Sequence, residues 1–119
     1  MASIRLSLLL CGLLLSACGR ADASTLDPSN PIHCAIAFQR YSDLAMKTGD
    51  ERLAKGLGGR AQWYVDRAKS SGQTLPSRED LERLAERFLA AADGGEALGH
   101  ECLKRQDADP EFQALLRKQ

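Results

Sequence analysis

The cysteines and histidines are the side chains of this chain whose types and spacing best suit metal or redox chemistry. The 119 residues contain four cysteines and two histidines: Cys11, Cys18, Cys34, Cys102, His33 and His100. His33 is adjacent to Cys34, and neighbours on a helix point about 100° apart, so the two cannot both face one ion without distortion. The ligand spacings typical of zinc sites do not occur in the sequence. We therefore predict neither a metal nor another cofactor.

Cys34 and Cys102 are better explained as a structural disulfide. They remain as an even pair in a chain whose first residues have the features of an export signal. In the oxidising compartments that exported proteins reach, such a pair forms a disulfide. The Cys-x-x-Cys spacing of redox-active pairs is absent. Closing a loop of about 69 residues stabilises a folded chain by roughly 4 kcal/mol on the chain-entropy model. The sequence therefore predicts one disulfide, Cys34–Cys102.

Motifs of enzymes are also missing from the sequence. It contains no Gly-x-Ser-x-Gly and no His-Glu-x-x-His, which are signatures of hydrolases and metalloproteases. The glycine-rich stretch at residues 56–60 lacks the lysine and the serine or threonine of a phosphate-binding loop. Acidic residues often lie at helical spacing from a cation, such as Glu79 and Arg83, and this spacing is typical of solvated faces. We predict that the protein is not an enzyme.

The candidate for partner binding is a group of three residues, Arg60, Trp63 and Arg67. Helical spacing brings them together at the edge of an apolar face. A tryptophan between two guanidinium groups suits contact with a protein, a peptide or acidic glycans. The alternative is that Trp63 completes the core while both arginines lie in water. We favour this alternative because a small domain needs every large side chain for its core.

The first 18 residues have the features of an export signal. Residues 1–5 include one arginine, and residues 6–17 are almost wholly apolar but too short to span a bilayer as a permanent helix, which predicts a signal peptide over residues 1–17. The next segment, Leu15-Ser16-Ala17-Cys18, resembles the lipobox of bacterial prolipoproteins. The resemblance implies cleavage before Cys18 and a diacylglycerol on its sulfur. Gly19 in place of an aspartate implies the outer membrane, with the domain facing the periplasm.

A second processing site competes with the lipobox. Ala21-Asp22-Ala23 fits ordinary small-x-small cleavage and would release a soluble secreted domain beginning at Ser24. Lipidation accounts for Cys18, whereas cleavage after Ala23 leaves this cysteine without a role. We therefore predict lipidation at Cys18, followed by a flexible tether up to Asn30 with a reach of roughly 20 Å.

The charge of the mature chain is balanced. Loss of Arg5 with the signal reduces the 16 basic residues to 15, against 16 acidic residues, so the formal charge is −1. Proteins that bind nucleic acid present a strongly basic face. We therefore predict no nucleic-acid partner.

Residues 31–119 have the periodicity of helices and no alternation typical of strands. Cap signals at Asn30, Asp50, Ser77 and Asp109 separate the helices, and Gly56, Gly58 and Gly59 predict a kink or a close helix approach in the second. We predict an all-α fold, a compact bundle of four to five short helices tied by one disulfide. Several apolar residues are predicted to face the core: Leu53, Leu81, Leu84, Ala85, Phe88, Leu89, Ala92, Phe112, Leu115 and Leu116.

These features predict a small lipid-anchored protein of the cell envelope. Its helical domain would be a non-enzymatic interaction or accessory module with a protein partner in the envelope. A small helical domain with one disulfide also resembles, in layout only, the acid-activated periplasmic chaperones. That resemblance implies loosening in acid and binding of unfolded clients, and it is the alternative function.

Overall fold

The computed structural model describes residues 26–91 and 93–119, which form five α-helices and no strand. The helices are α1 (Pro31–Lys47), α2 (Glu51–Ser70), α3 (Arg78–Ala90), α4 (Glu96–Asp107) and α5 (Pro110–Arg117). α1 packs along α2 and also contacts α3 and α4, so it is the central helix of the bundle. The predicted all-α bundle with one disulfide is confirmed. The predicted signal peptide and lipobox, Cys18 and Ala92 lie outside the described residues.

Capping side chains begin four of the described helices, as their sequence signals predict. The capping residues are Asn30, Asp50, Ser77 and Asp109, and each accepts a hydrogen bond from a backbone N–H of the first turn. α4 begins differently, because Gly95 precedes it in the left-handed conformation at φ +85°. The Asp93 carboxylate accepts from Gly95 N and Ala97 N and so caps this helix from two residues further back.

The glycines in the middle of α2 do not interrupt it. The helix is continuous from Glu51 to Ser70, and added side-chain carbons at Gly56 and Gly59 would have no neighbour within 4 Å. At Gly58 such a carbon would lie 3.6 Å from Ser42 Oγ of α1. Ser42 Oγ also donates a 2.7 Å hydrogen bond to the Ala54 carbonyl. The close helix approach predicted here therefore occurs on one side of α2, at Gly58.

The core lies between α1, α2 and α4, with α3 across one side. The disulfide Cys34–Cys102 joins α1 to α4, with Cα atoms 5.5 Å apart and both residues fully buried. The Tyr64 hydroxyl donates to the Cys102 carbonyl and brings α2 to the same point. The buried residues of this cluster are Ile32, Cys34, Ala35, Ile36, Ala37, Phe38, Ala61, Tyr64, Ala68, Ala85, Phe88, Leu98 and Cys102.

The apolar stripes of α3 and α5 are buried less than predicted. In α3, Ala85 and Phe88 are buried and Leu84 is partly buried. Phe112 is the buried residue of α5. The prediction that the following leucines face the core was wrong. Their side chains are between 36% and 55% exposed: Leu53, Leu81, Leu89, Leu115 and Leu116. α3 packs against one helix and α5 has only eight residues, so each meets the core along a narrow strip.

The segment Leu26–Asn30 forms a hydrogen-bonded turn against the helices, whereas the sequence predicted a flexible tether up to Asn30. The Asp27 carboxylate accepts from the backbone N and the hydroxyl of Ser29, at 2.9 and 2.7 Å. Asp27 N donates to His33 Nδ1 at 2.8 Å, and Leu26 packs against the core. The hydrogen bonds that the Asp27 carboxylate accepts hold this segment in one conformation. Residues 26–30 are therefore part of the packed domain.

Candidate functional site

The structure brings Arg60, Trp63 and Arg67 together on one side of α2, and we call these three residues the Trp63 surface. They contact α5 and the turn between α4 and α5. The Trp63 ring lies edge-on to Phe112, with centroids 5.5 Å apart and planes at 79°. The Arg67 guanidinium lies 5.2 Å from the centre of the Trp63 ring, and that of Arg60 lies 5.0 Å from the centre of the Phe112 ring. The geometry suits cation–π attraction at both rings.

Carboxylates of the last two helices pair with both arginines. Arg67 contacts Glu111 Oε2 through Nη1 at 2.7 Å and Asp109 Oδ2 through Nη2 at 3.1 Å. Arg60 Nη1 contacts Asp107 Oδ1 at 2.9 Å. Most of these side chains are partly exposed, so each pair stabilises the fold by about 1 kcal/mol or less. Their main effect is to orient α5 on α2.

Gln106 is the buried polar group of this contact. Its side chain is fully buried, accepts from Arg60 Nη1 at 2.7 Å and donates to the Arg60 carbonyl at 3.1 Å. Such reciprocal bonding satisfies an amide that would otherwise be costly to bury. Sequence reasoning missed Gln106, Asp107 and Glu111 as partners of the arginines. One indication of these contacts was present in the sequence, the predicted helix cap Asp109, which also forms an ion pair with Arg67.

Trp63 belongs partly to the core and partly to this surface. It is half-buried and lies edge-on to Tyr64, with ring centroids 5.0 Å apart. The interpretation of Trp63 as a packing residue therefore agrees with its contacts. The arginines differ from that interpretation, because they bind acidic groups of the same chain instead of lying in water.

A cleft of about 370 Å³ separates the Trp63 surface from the N-terminal turn. Pro28 and Pro31 form one wall, and Tyr64, Arg67 and Arg105 contribute to the other. Arg105 Nε also pairs with Glu101 Oε1 at 3.2 Å. The cleft thus adjoins the end of the domain that leads back toward Cys18.

A second groove, of about 340 Å³, lies between α1, α2 and α3. Its apolar lining includes Ile36, Val65 and Leu81. Charged residues at its edge pair with each other, as in Arg78 with Glu82, whose Nε and Oε1 are 3.6 Å apart. This groove offers apolar contact without an excess of either charge.

Of the residues considered for metal or redox chemistry, Cys34, Cys102 and His33 serve the fold. Both cysteines are in the disulfide, and burial lowers the pKa of His33, whose Nδ1 accepts from Asp27 N. His100 is exposed, with Nε2 3.8 Å from Glu96 Oε1. Burial raises the pKa of Tyr64 to about 12, so its hydroxyl stays protonated as a donor. Within residues 26–91 and 93–119, no three His, Cys, Asp or Glu side chains are grouped to hold a metal ion.

The described residues thus form three surface features, which are the Trp63 surface, the cleft beside it and the groove under α3. This chain matches no protein-family model, no curated protein and no solved structure. No helix in the described part of the chain is both long and apolar enough to cross a membrane.

Proposed function

We propose that this protein is a small lipoprotein of the cell envelope, anchored through Cys18 to the outer membrane and facing the periplasm, and that its helical domain is a non-enzymatic interaction module. The observation that carries the proposal is the packing of Leu26 against the core. Seven residues separate Cys18 from Leu26. A chain of this length spans at most about 28 Å, so the anchored domain works close to the bilayer surface.

The use of the reactive side chains supports a non-enzymatic module. Cys34 and Cys102 form the disulfide, Tyr64 holds α2 to α4, and His33 holds the N-terminal turn. These groups are therefore engaged in maintaining the fold. The groove under α3, by contrast, has apolar side chains in its lining and paired charges at its edge, which is the composition of a contact surface.

The anchor is tested by mass spectrometry of the mature protein from membranes. We expect a first residue at Cys18 with added acyl mass. Cys18→Ala should remove the lipid and shift the protein from the membrane to the soluble fraction, while its circular dichroism spectrum stays helical.

A matched variant tests the competing cleavage site. Ala23→Asp should leave processing unchanged if Cys18 is the lipidated residue, because the lipobox is untouched. A wild-type mature protein that begins at Ser24, or a block of processing by Ala23→Asp, would contradict the anchor.

The stress-chaperone alternative has one observation in its favour, the exposure of large apolar side chains. Those more than half exposed are Leu44, Met46, Leu53 and Leu89. A chaperone of this kind should loosen at about pH 3, bind a hydrophobic dye and suppress aggregation of an unfolded client. A cooperative fold without dye binding at that pH would exclude it and leave the interaction module.

A further inference from the structure

We propose that residues 26–29 are a pH-sensitive segment of this domain, docked on the helices while His33 is neutral and released from them when His33 is protonated. The segment connects the helices to the part of the chain that contains Cys18. The release depends on contacts among the described residues. Only its consequence for an anchored domain rests on the proposed function.

One hydrogen bond joins residues 26–29 to a helix in the described part of the chain. Asp27 N donates to His33 Nδ1 of α1 at 2.8 Å. The other hydrogen bonds of the segment connect residues 27–30 with each other. These local bonds shape the turn, whereas the bond to His33 fixes the turn on α1.

The remaining contacts of the segment with the helices are weaker. Leu26 packs on the core but is itself only partly buried. The Pro28 carbonyl lies 3.3 Å from Cys34 Sγ, which has no hydrogen to donate because it belongs to the disulfide. Segments with few buried apolar contacts open locally at little cost in free energy. Loss of the bond to His33 should therefore shift the segment toward release.

Protonation of His33 removes the acceptor on which this attachment depends. A neutral imidazole has one nitrogen that accepts a hydrogen bond, and here that nitrogen is Nδ1. A protonated imidazole has two donors and no acceptor, so the N–H of Asp27 then faces a second N–H. Histidine is the side chain whose charge ordinarily changes between pH 5 and 8. Mild acid therefore converts an attractive contact into a repulsive one.

The charged groups near this contact define the direction of the pH effect. Burial of the ring disfavours the protonated form most, Asp27 favours it, and Arg87 of α3 opposes it, so the pKa of His33 lies below 6.5. Hydrogen bonds from Ser29, together with Arg105 of α4, lower the pKa of Asp27. Asp27 therefore stays ionised while His33 titrates. The docked state is favoured above pH 6.5 and is lost as the pH falls through the pKa of the docked histidine.

The release ends at Asn30, which is attached independently of His33. Its side-chain oxygen accepts from Ile32 N at 3.0 Å and from Gln73 Nε2 at 3.1 Å, so it caps α1 and ties it to the segment after α2. The chain between Cys18 and the packed domain then grows from seven residues to eleven. Its maximal span increases from about 28 Å to about 42 Å. Acid thus extends the reach of an anchored domain.

The test is hydrogen exchange of the purified mature chain at pH 7.5 and pH 5.0, measured by mass spectrometry on a peptic fragment that covers residues 26–30. Labelling times are scaled for the pH dependence of chemical exchange. We expect this fragment to exchange about fivefold faster at pH 5.0, which is the effect of losing one hydrogen bond. Fragments from the middle of α1 and α2 should keep the same corrected rate. Unchanged exchange in residues 26–30, or an equal increase in the helices, would overturn the release.

Variants of the two histidines assign the effect to one of them. His33→Asn has an amide oxygen near the position of Nδ1 and does not titrate, so the fragment should exchange slowly at both pH values. His33→Ala lacks the acceptor, so exchange should be fast at both. His100→Gln is the matched control, because His100 is exposed and its Nε2 lies 3.8 Å from Glu96 Oε1. It should keep the wild-type difference.

Three results would contradict the role of His33. They are a pH difference that persists in His33→Asn, slow exchange at both pH values in His33→Ala, and loss of the difference in His100→Gln. Circular dichroism at pH 7.5 checks that each variant is helical before exchange is measured.

The outcome is distinguishable from failure of the anchor. The contacts of His33 lie within the domain, so Cys18→Ala should show the same exchange as the wild type. If Cys18 carries no lipid and the fragment responds to pH as expected, the release stands without its effect on reach. If mass spectrometry shows lipid on Cys18 and the fragment does not respond, the anchor stands and the release is overturned.

Discussion

Phe112 of α5 lies edge-on to Trp63 of α2, with ring centroids 5.5 Å apart, and this contact joins the last helix to the core. Phe112 is 4% exposed, whereas Leu115 and Leu116 on the same helix are 45% and 43% exposed. Trp63 in turn contacts Tyr64, whose hydroxyl bonds the disulfide-linked Cys102. Phe112 is thus the buried ring at the centre of the α5 contact, and the only tryptophan of the chain lies beside it.

Phe112→Ala is expected to lower the free energy of unfolding by about 3 kcal/mol, because it removes a buried ring from a packed site. Urea unfolding followed by Trp63 fluorescence measures the change, and the native emission should shift to longer wavelength as water reaches the indole. Leu116→Ala is the matched control, with an expected loss below about 1 kcal/mol since its side chain is already half exposed. Equal losses for the two variants would contradict the single-ring docking of α5.

Loss of the disulfide is expected to lower the free energy of unfolding by about 4 kcal/mol, because the bond closes a long loop between α1 and α4. The double variant Cys34→Ser/Cys102→Ser tests this by urea unfolding followed by circular dichroism. The control is the single variant Cys18→Ser, which should leave the midpoint of urea unfolding unchanged. A double variant as stable as the wild type would show that α1 and α4 hold together without the bond.

Gly95→Ala is expected to destabilise the domain more than Gly94→Ala. Both glycines have positive φ, +85° and +67°, so alanine is strained at either position. At Gly95, however, an added carbon would also overlap the Phe88 ring, while at Gly94 it would have no neighbour within 4 Å. We expect losses of about 1 kcal/mol at Gly94 and about 3 kcal/mol at Gly95, where overpacking adds to the strain. Thermal unfolding of both variants measures the difference, and similar midpoints would contradict the contact with Phe88.

His33 is expected to make the fold less stable as the pH falls below 6.5. Burial lowers its pKa below that ordinary value, so between 6.5 and the lower folded pKa the unfolded chain takes up a proton that the folded chain does not. The contribution of His33 is therefore complete above pH 6.5 and is lost as the pH falls through the folded pKa. Protonation of Nδ1 also removes the acceptor for Asp27 N.

Unfolding in urea between pH 7.5 and 5 measures the effect of His33. His33→Gln provides a non-titrating side chain that can still accept a hydrogen bond, and it should flatten the pH dependence in this range. An unchanged slope in the variant would assign the acid sensitivity to other groups.

Tyr64 is expected to produce the opposite dependence in alkali. Burial raises its pKa to about 12, from 10.0, so the folded chain keeps a proton that the unfolded chain loses. Its contribution is present below pH 10 and is lost as the pH rises toward 12. Tyrosinate absorbance should show a transition near pH 12 that is missing in Tyr64→Phe, in which Tyr41 is the remaining tyrosine. A Tyr64→Phe variant that retains this transition would contradict the assignment.

Local patterns predicted the helices well. The caps at Asn30, Asp50, Ser77 and Asp109 depend on bonds within a few residues, so sequence alone indicates where the helices begin. The pairing of Cys34 with Cys102 was also predictable, because assigning Cys11 and Cys18 to a predicted signal and lipobox left a single pair. The burial of individual leucines was not, since a helix stripe shows which residues can face a core and does not show how wide the contact is.

The sequence by itself determined an all-α domain, the starts of four helices, the disulfide and the common helix face of Arg60, Trp63 and Arg67. Only the tertiary structure decided what that face meets. Its partners lie about 40 to 50 residues further along the chain, and long-range partners leave no periodic signal in a single sequence. Packing of α5 across α2 therefore decided that the two arginines bind Asp107, Asp109 and Glu111, and that Trp63 is covered by Phe112.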